Sequence, residues 1–238
     1  MKIHPEGFNC ANKHFCKRFS NLEMTEAKMT MLGSQYGRQY PNIAIISLDP
    51  PDDANKTFKA PQNRTTEYVS WFHEQEDYRI DRPNPHWAMT QIIVRDLLVL
   101  FGYSGQPGAA VVAESYAGRN IENVSAYFAH VNVAKCCMNN AGKGQADWQV
   151  HQKCGLSFLL NELNVLSPDF LISQGKDANT MLSRLFHLPG VEAALPAAKP
   201  VRLGARQALW LPMAHPTRHI AEIRRSWPFY VNAIRNWR

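Results

Sequence analysis

The chain has 238 residues, a hydrophobic fraction of 45% and a formal net charge of +6. This length suits one α/β domain that buries about 70 to 75% of its unfolded surface. No apolar run approaches the roughly 20 residues that span a bilayer, and the opening MKIHPEGFNCANK lacks the apolar segment of a secretory signal. We therefore expect a cytoplasmic monomer without a membrane partner. The basic charge favours an anionic partner, and nucleic acid is the first candidate.

The first elements in chain order are a helix and a buried strand. Ser20 and Glu23 have the spacing of a capping box, which predicts a helix from about 21 to 32 that ends at Gly33. The continuous apolar run IAIISL then leads into Asp-Pro-Pro, a pattern typical of a buried parallel strand followed by a loop. Residues 52 to 86 have no clear period, which predicts a long loop of the kind that often carries function.

Strands and helices alternate along the rest of the chain. The patterns predict a helix over 87 to 102, a strand over 127 to 134 and a helix over about 148 to 165. DFLIS, GKDANTMLSRLF and ALWLPM then predict a strand, a helix and a strand, and a basic helix follows from about 218 to 238. This alternation predicts a single three-layer α/β/α domain around a central, mainly parallel sheet of four strands.

Three polar side chains fall at the carboxyl ends of the predicted strands, where open α/β sheets place their functional groups. Asp49 follows the first strand, Asn132 lies in the second strand within FAHVNVAKCCM, and His215 follows the fourth. An acid, an amide and an imidazole are therefore expected at one edge of the sheet. The alternative interpretation gives each a structural role: Asp49 and His215 would shape turns, and Asn132 would join two backbone groups inside the sheet.

Five cysteines divide into groups that can meet in space. Cys10 and Cys16 form C-x5-C, while Cys136 and Cys137 precede Cys154 by 18 and 17 positions. An intracellular chain is not expected to use them as disulfides, because the cytosol keeps thiols reduced. Four thiolates suit either zinc or an iron–sulfur cluster. The alternative is that free cysteines serve only as small buried hydrophobic residues.

Four segments in order carry a resemblance to a known family. SLDPP resembles the water-activating G-Q-D-P-Y motif of uracil-DNA glycosylases, and VNVAKC resembles T-N-V-V-K-C of the iron–sulfur branch of that superfamily. FLISQGKDANTML resembles the third strand and following helix start of that branch, and LPMAHPTRH resembles its P-T-Y-H-P-S-Y-L. The chain thus resembles the iron–sulfur uracil-DNA glycosylases over roughly residues 8 to 220, with little match between 52 and 125.

The resemblance implies a uracil-DNA glycosylase-like fold and a cofactor. The cysteines follow the family's order, which implies a 4Fe-4S cluster bound by Cys10, Cys16, Cys136 and Cys154, with an N-terminal cluster-binding segment over about 8 to 33. Zinc is the alternative metal. Cys137 is then the spare thiol, although the adjacent pair leaves open which of the two is the third ligand.

The resemblance also implies a reaction, hydrolysis of the N-glycosidic bond of a flipped base in DNA to leave an abasic site. By this comparison Asp49 activates water, Asn132 recognises the base, and His215 stabilises the negative charge of the leaving base. An aromatic platform for the base is expected at Phe58, with Trp71 and Phe72 as alternatives.

DNA contacts are implied at two further places. Thr217 and Arg218 follow His215, where the family enters the minor groove, and are predicted to contact a phosphate and to act as a wedge. Gly175 and Lys176 lie at the start of a helix that the family directs at DNA. The arginines of the final helix extend this cationic surface.

Departures from the family pattern bear on the substrate. The iron–sulfur branch has G-E-A-P-G after its first strand, whereas this chain has an Asp, as in the strict uracil enzymes. Pro51 replaces the Tyr that in those enzymes blocks a substituent at C5 of the pyrimidine. A uracil-type substrate is favoured. One alternative is a glycosylase for bulky C5-modified pyrimidines, 5-hydroxymethylcytosine or its glucosylated form, in anti-phage defence; another is a catalytically inactive nucleic-acid-binding module.

Overall fold

The computed structural model describes residues 10–18, 30–33, 35–38, 40–48, 85–102, 124–135 and 147–237. Within these ranges no helix has both the length and the apolar character needed to cross a membrane.

Within the described ranges, the centre of the fold is a mixed sheet of six strands. They are β1 (Met31–Leu32), β2 (Ile43–Ser47), β3 (Phe128–Asn132), β4 (Phe170–Gln174), β5 (Lys199–Leu203) and β6 (Arg206–Met213). Their order across the sheet is β1-β3-β2-β4-β6-β5. The four inner strands are mutually parallel, while β1 and β5 pair antiparallel at the two edges. The carboxyl ends of β2, β3, β4 and β6 therefore meet at one edge of the domain.

The α/β class is confirmed, but the predicted number of four strands is wrong, because two edge strands were missed. β1 is only two residues long, and β5 contains Pro200 and three exposed residues, so neither has a recognisable apolar run. Pro is tolerated there because an edge strand has one side free of ladder hydrogen bonds. The end of the predicted helix over 21 to 32 is also wrong. Met31 and Leu32 pair with β3 instead, so pairing with the sheet outweighs the local capping signal.

Six α-helices accompany the sheet within the described ranges. They are α1 (Lys13–Lys17), α2 (Pro85–Val99), α3 (Trp148–Cys154), α4 (Leu160–Leu166), α5 (Lys176–Leu185) and α6 (Ile220–Asn236). A π-helical segment, Gly155–Leu159, joins α3 to α4. The predicted helices after residue 86 are confirmed, with ends that differ by up to three residues. Residues 21–29 of the predicted N-terminal helix lie outside the described ranges.

Helices cover both faces of the sheet. On one face α2 and α6 pack against strand residues such as Ile45 and Phe128, which are fully buried. The buried residues of α6 are spaced by three or four positions, which directs one stripe of the helix at the sheet. Pro228 lies on its exposed side, and the helix continues through it. On the other face α4 and α5 pack against alternate strand residues, among them Ala44 and Trp210. Burial of each large apolar side chain stabilises the fold by about 1.5 to 3 kcal/mol.

Candidate functional site

The predicted site residues divide by where they fall in the structure. Asn132, Gly175, Lys176, His215, Thr217 and Arg218 are described, as are Cys10, Cys16 and Cys154. Asp49, Pro51, Phe58, Cys136 and Cys137 lie outside the described ranges, and so do Trp71 and Phe72.

Asn132 is the last residue of β3 and pairs in register with Ser47, the last residue of β2. Its side chain is only 2% exposed, and neither its amide oxygen nor its amide nitrogen has a hydrogen-bond partner among the described residues. A buried polar atom without a partner costs about 1 to 3 kcal/mol, so such groups are rare and need an explanation. Among the described residues this amide does not join two backbone groups, as the structural interpretation would require. A ligand with one donor and one acceptor would complete the bonding.

Two neighbouring strands continue this polar edge. The Ser47 hydroxyl lies 3.0 Å from Nε2 of His130, which is also buried. Gln174 ends β4 and is 3% exposed; its Nε2 donates to Oγ1 of Thr90 in α2 at 2.8 Å. Sequence reasoning missed Gln174 because a glutamine at a strand end carries no specific pattern. It also missed the start of α2, although Pro85 at the first helical position is a recognised signal.

His215 follows β6 at the same edge and is partly buried. The backbone N–H of Thr217 donates to its Nδ1 at 3.2 Å. Because Nδ1 accepts, the neutral ring must carry its proton on Nε2. Burial, then the charges of Arg218 and His219, lower the pKa of His215 below its ordinary value, which favours the neutral ring. His215 thus presents a neutral Nε2–H donor, as required of a group that stabilises a developing negative charge.

Gly175 connects the end of β4 to α5 beside this histidine. Its φ is +94°, and its N–H donates to the carbonyl of Met213 at 2.9 Å. A Cβ at this position would lie 3.3 Å from Cδ2 of His215. Glycine is therefore favoured at this position for two reasons: it tolerates the positive φ, and it leaves the space that His215 occupies.

We expect Gly175→Ala to lower the free energy of unfolding more than Gly102→Ala does. Both glycines have a positive φ, +94° and +85°, and a side chain in such a strained conformation costs about 1 to 3 kcal/mol. An added Cβ at Gly175 also lies 3.3 Å from the His215 ring, whereas nothing lies within 4 Å of one at Gly102. Urea unfolding measures both losses. Equal losses would show that the Cβ is accommodated beside His215.

His86, in the first turn of α2, contacts His215. Their ring centroids are 5.3 Å apart with an interplanar angle of 63°. Burial, and then the nearby His215, lower the pKa of His86 from 6.5 to about 4. Two imidazoles whose pKa values are both lowered therefore share this edge.

The lowered pKa of His86 predicts acid sensitivity. The unfolded chain takes up a proton near pH 6.5 and the folded chain only near pH 4, so stability is complete above pH 6.5 and falls between these values. The free energy of unfolding should fall by about 3 kcal/mol over that window on account of this residue. Urea unfolding of His86→Gln should show a shallower pH dependence, while the exposed His187→Asn should match the wild type. Parallel curves for all three proteins would contradict this assignment.

The described cysteines come from two segments that pack together. Cys16 in α1 is buried against Ala134, which follows β3, and Val150 of α3. Burial, followed by the nearby Cys10, raises the pKa of Cys16. The pKa of Cys154 is raised to about 11, by burial first and also by the thiols of Cys10 and Cys16. These three thiols therefore interact at the place where the N-terminal segment meets the exit of β3.

Lys135 links this thiol cluster to the amide of β3. Its backbone N–H donates to Sγ of Cys154 at 3.2 Å, and its Nζ donates to the backbone carbonyl of Asn132 and to the carboxylate of Glu162. Lys135 and Glu162 are 1% and 2% exposed. The chain between the base-recognition candidate and the thiols is thus fixed by a buried ion pair.

The donor set fits a metal or cluster in its chemistry. Three thiols lie near one another, and Cys136, the predicted fourth ligand, directly follows Lys135. The described part of the chain alone contains no group of three or more His, Cys, Asp or Glu side chains in an arrangement that could bind a metal ion.

Exposed polar and basic residues surround the same edge of the sheet. Lys176 begins α5, which has no side-chain cap, and Thr217 and Arg218 follow His215; all three are exposed. The N-terminus of a helix with free N–H groups and a nearby cation is compatible with a phosphate. This surface adjoins His215 and lies at the same edge of the sheet as Asn132.

No protein-family model matches this chain, and no curated protein matches it. The function must therefore be inferred from the geometry of the site together with the motifs.

Proposed function

We propose that this protein is a DNA glycosylase that flips a pyrimidine-type base out of the duplex and hydrolyses its N-glycosidic bond, with a uracil-type base as the favoured substrate. The observation that carries the proposal is the buried amide of Asn132, which presents one donor and one acceptor without partners among the described residues. The edge of a uracil ring offers the complementary pair, O4 as acceptor and N3–H as donor.

The proposed mechanism divides the reaction between three residues. Asp49 accepts a proton from a water molecule whose oxygen bonds to the sugar C1′. The C1′–N1 bond breaks, and its electron pair passes to the base. His215 donates its Nε2–H to the base oxygen at which negative charge accumulates. The hydrogen bond from Thr217 to Nδ1 supports this role because it selects the required tautomer.

Two features of the fold support the proposal: the inner strands are parallel, and polar residues lie at their shared carboxyl edge. We propose that it belongs to the uracil-DNA glycosylase type, with the edge strands β1 and β5 as additions to a four-stranded core. We further propose that Cys10, Cys16, Cys136 and Cys154 bind a 4Fe-4S cluster. Bound there, the cluster would brace the N-terminal segment against the exit of β3, a structural role.

DNA is the proposed partner. Lys176 and Thr217 would contact the phosphate backbone beside the flipped base, and Arg218 would act as the wedge, which is consistent with the net charge of +6. Removing a base from the stack costs a few kcal/mol. Phe58 is the proposed aromatic side chain on which the flipped base stacks.

Incubation with duplexes that carry one uracil, hypoxanthine, 5-hydroxymethylcytosine or glucosylated 5-hydroxymethylcytosine tests the proposal. Alkali then cleaves the strand wherever a base has been removed. We expect cleavage at uracil, reduced at least about 100-fold by Asp49→Asn because the base that activates water is lost. Cleavage only at the modified cytosines would support the anti-phage alternative. Binding of every duplex without cleavage of any would favour the inactive module and overturn the enzyme.

A further inference from the structure

We propose that Gln174 is a second base-recognition residue and that it acts only as a hydrogen-bond acceptor. The site would then select bases that present an N–H group to it. This inference rests on the proposed glycosylase function and adds a residue that the sequence comparison does not assign.

Gln174 lies in a row with Asn132. Ser47 pairs with Asn132 on one side, and Ile46 pairs with Ser173 on the other, so the last residues of β3, β2 and β4 end at one level. Residues an even number of positions apart in a strand point to the same face of the sheet. Gln174 therefore shares a face with Ile172, and Asn132 shares one with Phe128. Because Ile172 and Phe128 belong to the same core cluster, all four residues lie on one face. Two strand spacings, about 10 Å, separate the backbones of the two residues. The two side chains therefore lie on one face of the sheet, on either side of Ser47.

The contact with Thr90 fixes the orientation of the Gln174 amide. The Thr90 hydroxyl donates its single proton to the carbonyl of His86 at 2.8 Å. Towards Gln174 the same oxygen can therefore only accept, so the group of Gln174 that faces it at 2.8 Å must be the NH2. The amide oxygen of Gln174 points elsewhere, buried and without a hydrogen-bond partner among the described residues.

Asn132 and Gln174 therefore differ in what they can recognise. Both amide atoms of Asn132 are without a partner in the described ranges, so its amide can turn over to suit a base. Gln174 cannot turn over without placing its oxygen against the Thr90 lone pairs. It is the discriminating group of the pair, and the matching ligand atom is a donor: the exocyclic amino group of a cytosine-type base, or the ring N3–H of a uracil-type base, which its oxygen would share with that of Asn132.

The test compares the wild type with Gln174→Met, which keeps the length of the side chain and removes the acceptor. Duplexes carry uracil, N3-methyluracil, which lacks the ring N–H, or cytosine. We expect the wild type to prefer one N–H-bearing base, uracil or cytosine, over N3-methyluracil, and Gln174→Met to lower kcat/KM on that base by about 10- to 100-fold. Thr90→Val removes the hydroxyl that fixes the Gln174 amide, so the amide can rotate. This variant should still excise the preferred base, but the ratio of its kcat/KM on that base to its kcat/KM on N3-methyluracil should be smaller than in the wild type.

Thermal unfolding gives a readout that does not depend on catalysis. Gln174→Met removes a buried acceptor that has no partner among the described residues, but it also removes the bond to Thr90. The two effects oppose each other, so we expect the Tm to fall by no more than about 2 °C. A larger fall would show that the glutamine has a structural role.

The outcomes separate this inference from the proposed function. If the wild type excises a base and Gln174→Met excises it at the same rate with the same preference, the role of Gln174 is overturned and the glycosylase stands. If the wild type releases no base from any duplex of this panel or of the earlier one, the proposed function fails and this inference fails with it.

Discussion

Replacement of Asn132 by leucine is expected to stabilise the protein while abolishing base excision. Leucine has nearly the shape of asparagine and removes two buried polar atoms that have no partner in the described ranges. The free energy of unfolding should rise by about 1 to 3 kcal/mol, because the desolvation cost of the amide is gone. Excision should fall by about 100-fold or more, since the flipped base loses its hydrogen-bonding partner. Urea unfolding and single-turnover excision measure the two effects.

Asn179→Leu is the matched control, because Asn179 is an equally buried asparagine whose amide is satisfied. It accepts from the Ser173 hydroxyl at 2.6 Å and donates to the carbonyl of Met213 at 3.0 Å. This variant should lose about 1 to 3 kcal/mol of stability. If Asn132→Leu is destabilised to the same degree as Asn179→Leu, Asn132 has a structural role and the basis of the proposed function is removed.

Replacement of Lys135 by methionine is expected to cause a large loss of stability. Methionine fills the space of the lysine stem but removes the cation that contacts the buried Glu162 carboxylate. Removal of one member of a buried ion pair typically costs about 3 to 5 kcal/mol. The backbone N–H that donates to Cys154 is retained, so the proposed cluster site keeps this contact. Urea unfolding measures the loss.

The double variant Lys135→Met/Glu162→Leu isolates the ion pair. With both charges gone, most of the loss should be recovered, to within about 1 kcal/mol of the wild type. Lys199→Met, on the exposed end of edge strand β5, should have little effect. A double variant as unstable as the single one would assign the cost to packing or to the bond between Lys135 and the Asn132 carbonyl.

The inner sheet could be predicted because its residues carry strong local patterns. IAIISL is a continuous apolar run and forms β2, which is buried along its whole length. The edge strands have no such pattern, and Met31 is in a strand only because β3 lies beside it. Local signals therefore located the buried core and failed where pairing across the chain decides the structure.

The candidate site could be predicted where a single polar residue at the carboxyl end of a strand is enough to indicate a functional position. Asn132 and His215 follow that rule, and both lie at the carboxyl edge. The Lys135–Glu162 pair joins residues 27 positions apart, and the Gln174–Thr90 bond joins residues 84 positions apart. Contacts of this kind come from the packing of helices on the sheet, so the sequence carries no local signal for them.

Mass spectrometry of the small-molecule fraction tests the central claim most directly. The full-length protein would be incubated with a duplex that carries a single uracil, with Asn132→Leu as the parallel control. The proposed function predicts free uracil in amounts that match the abasic sites formed, and far less from the variant. Intact duplex with no free base from the wild-type protein, for uracil and for every modified base tested, would contradict it.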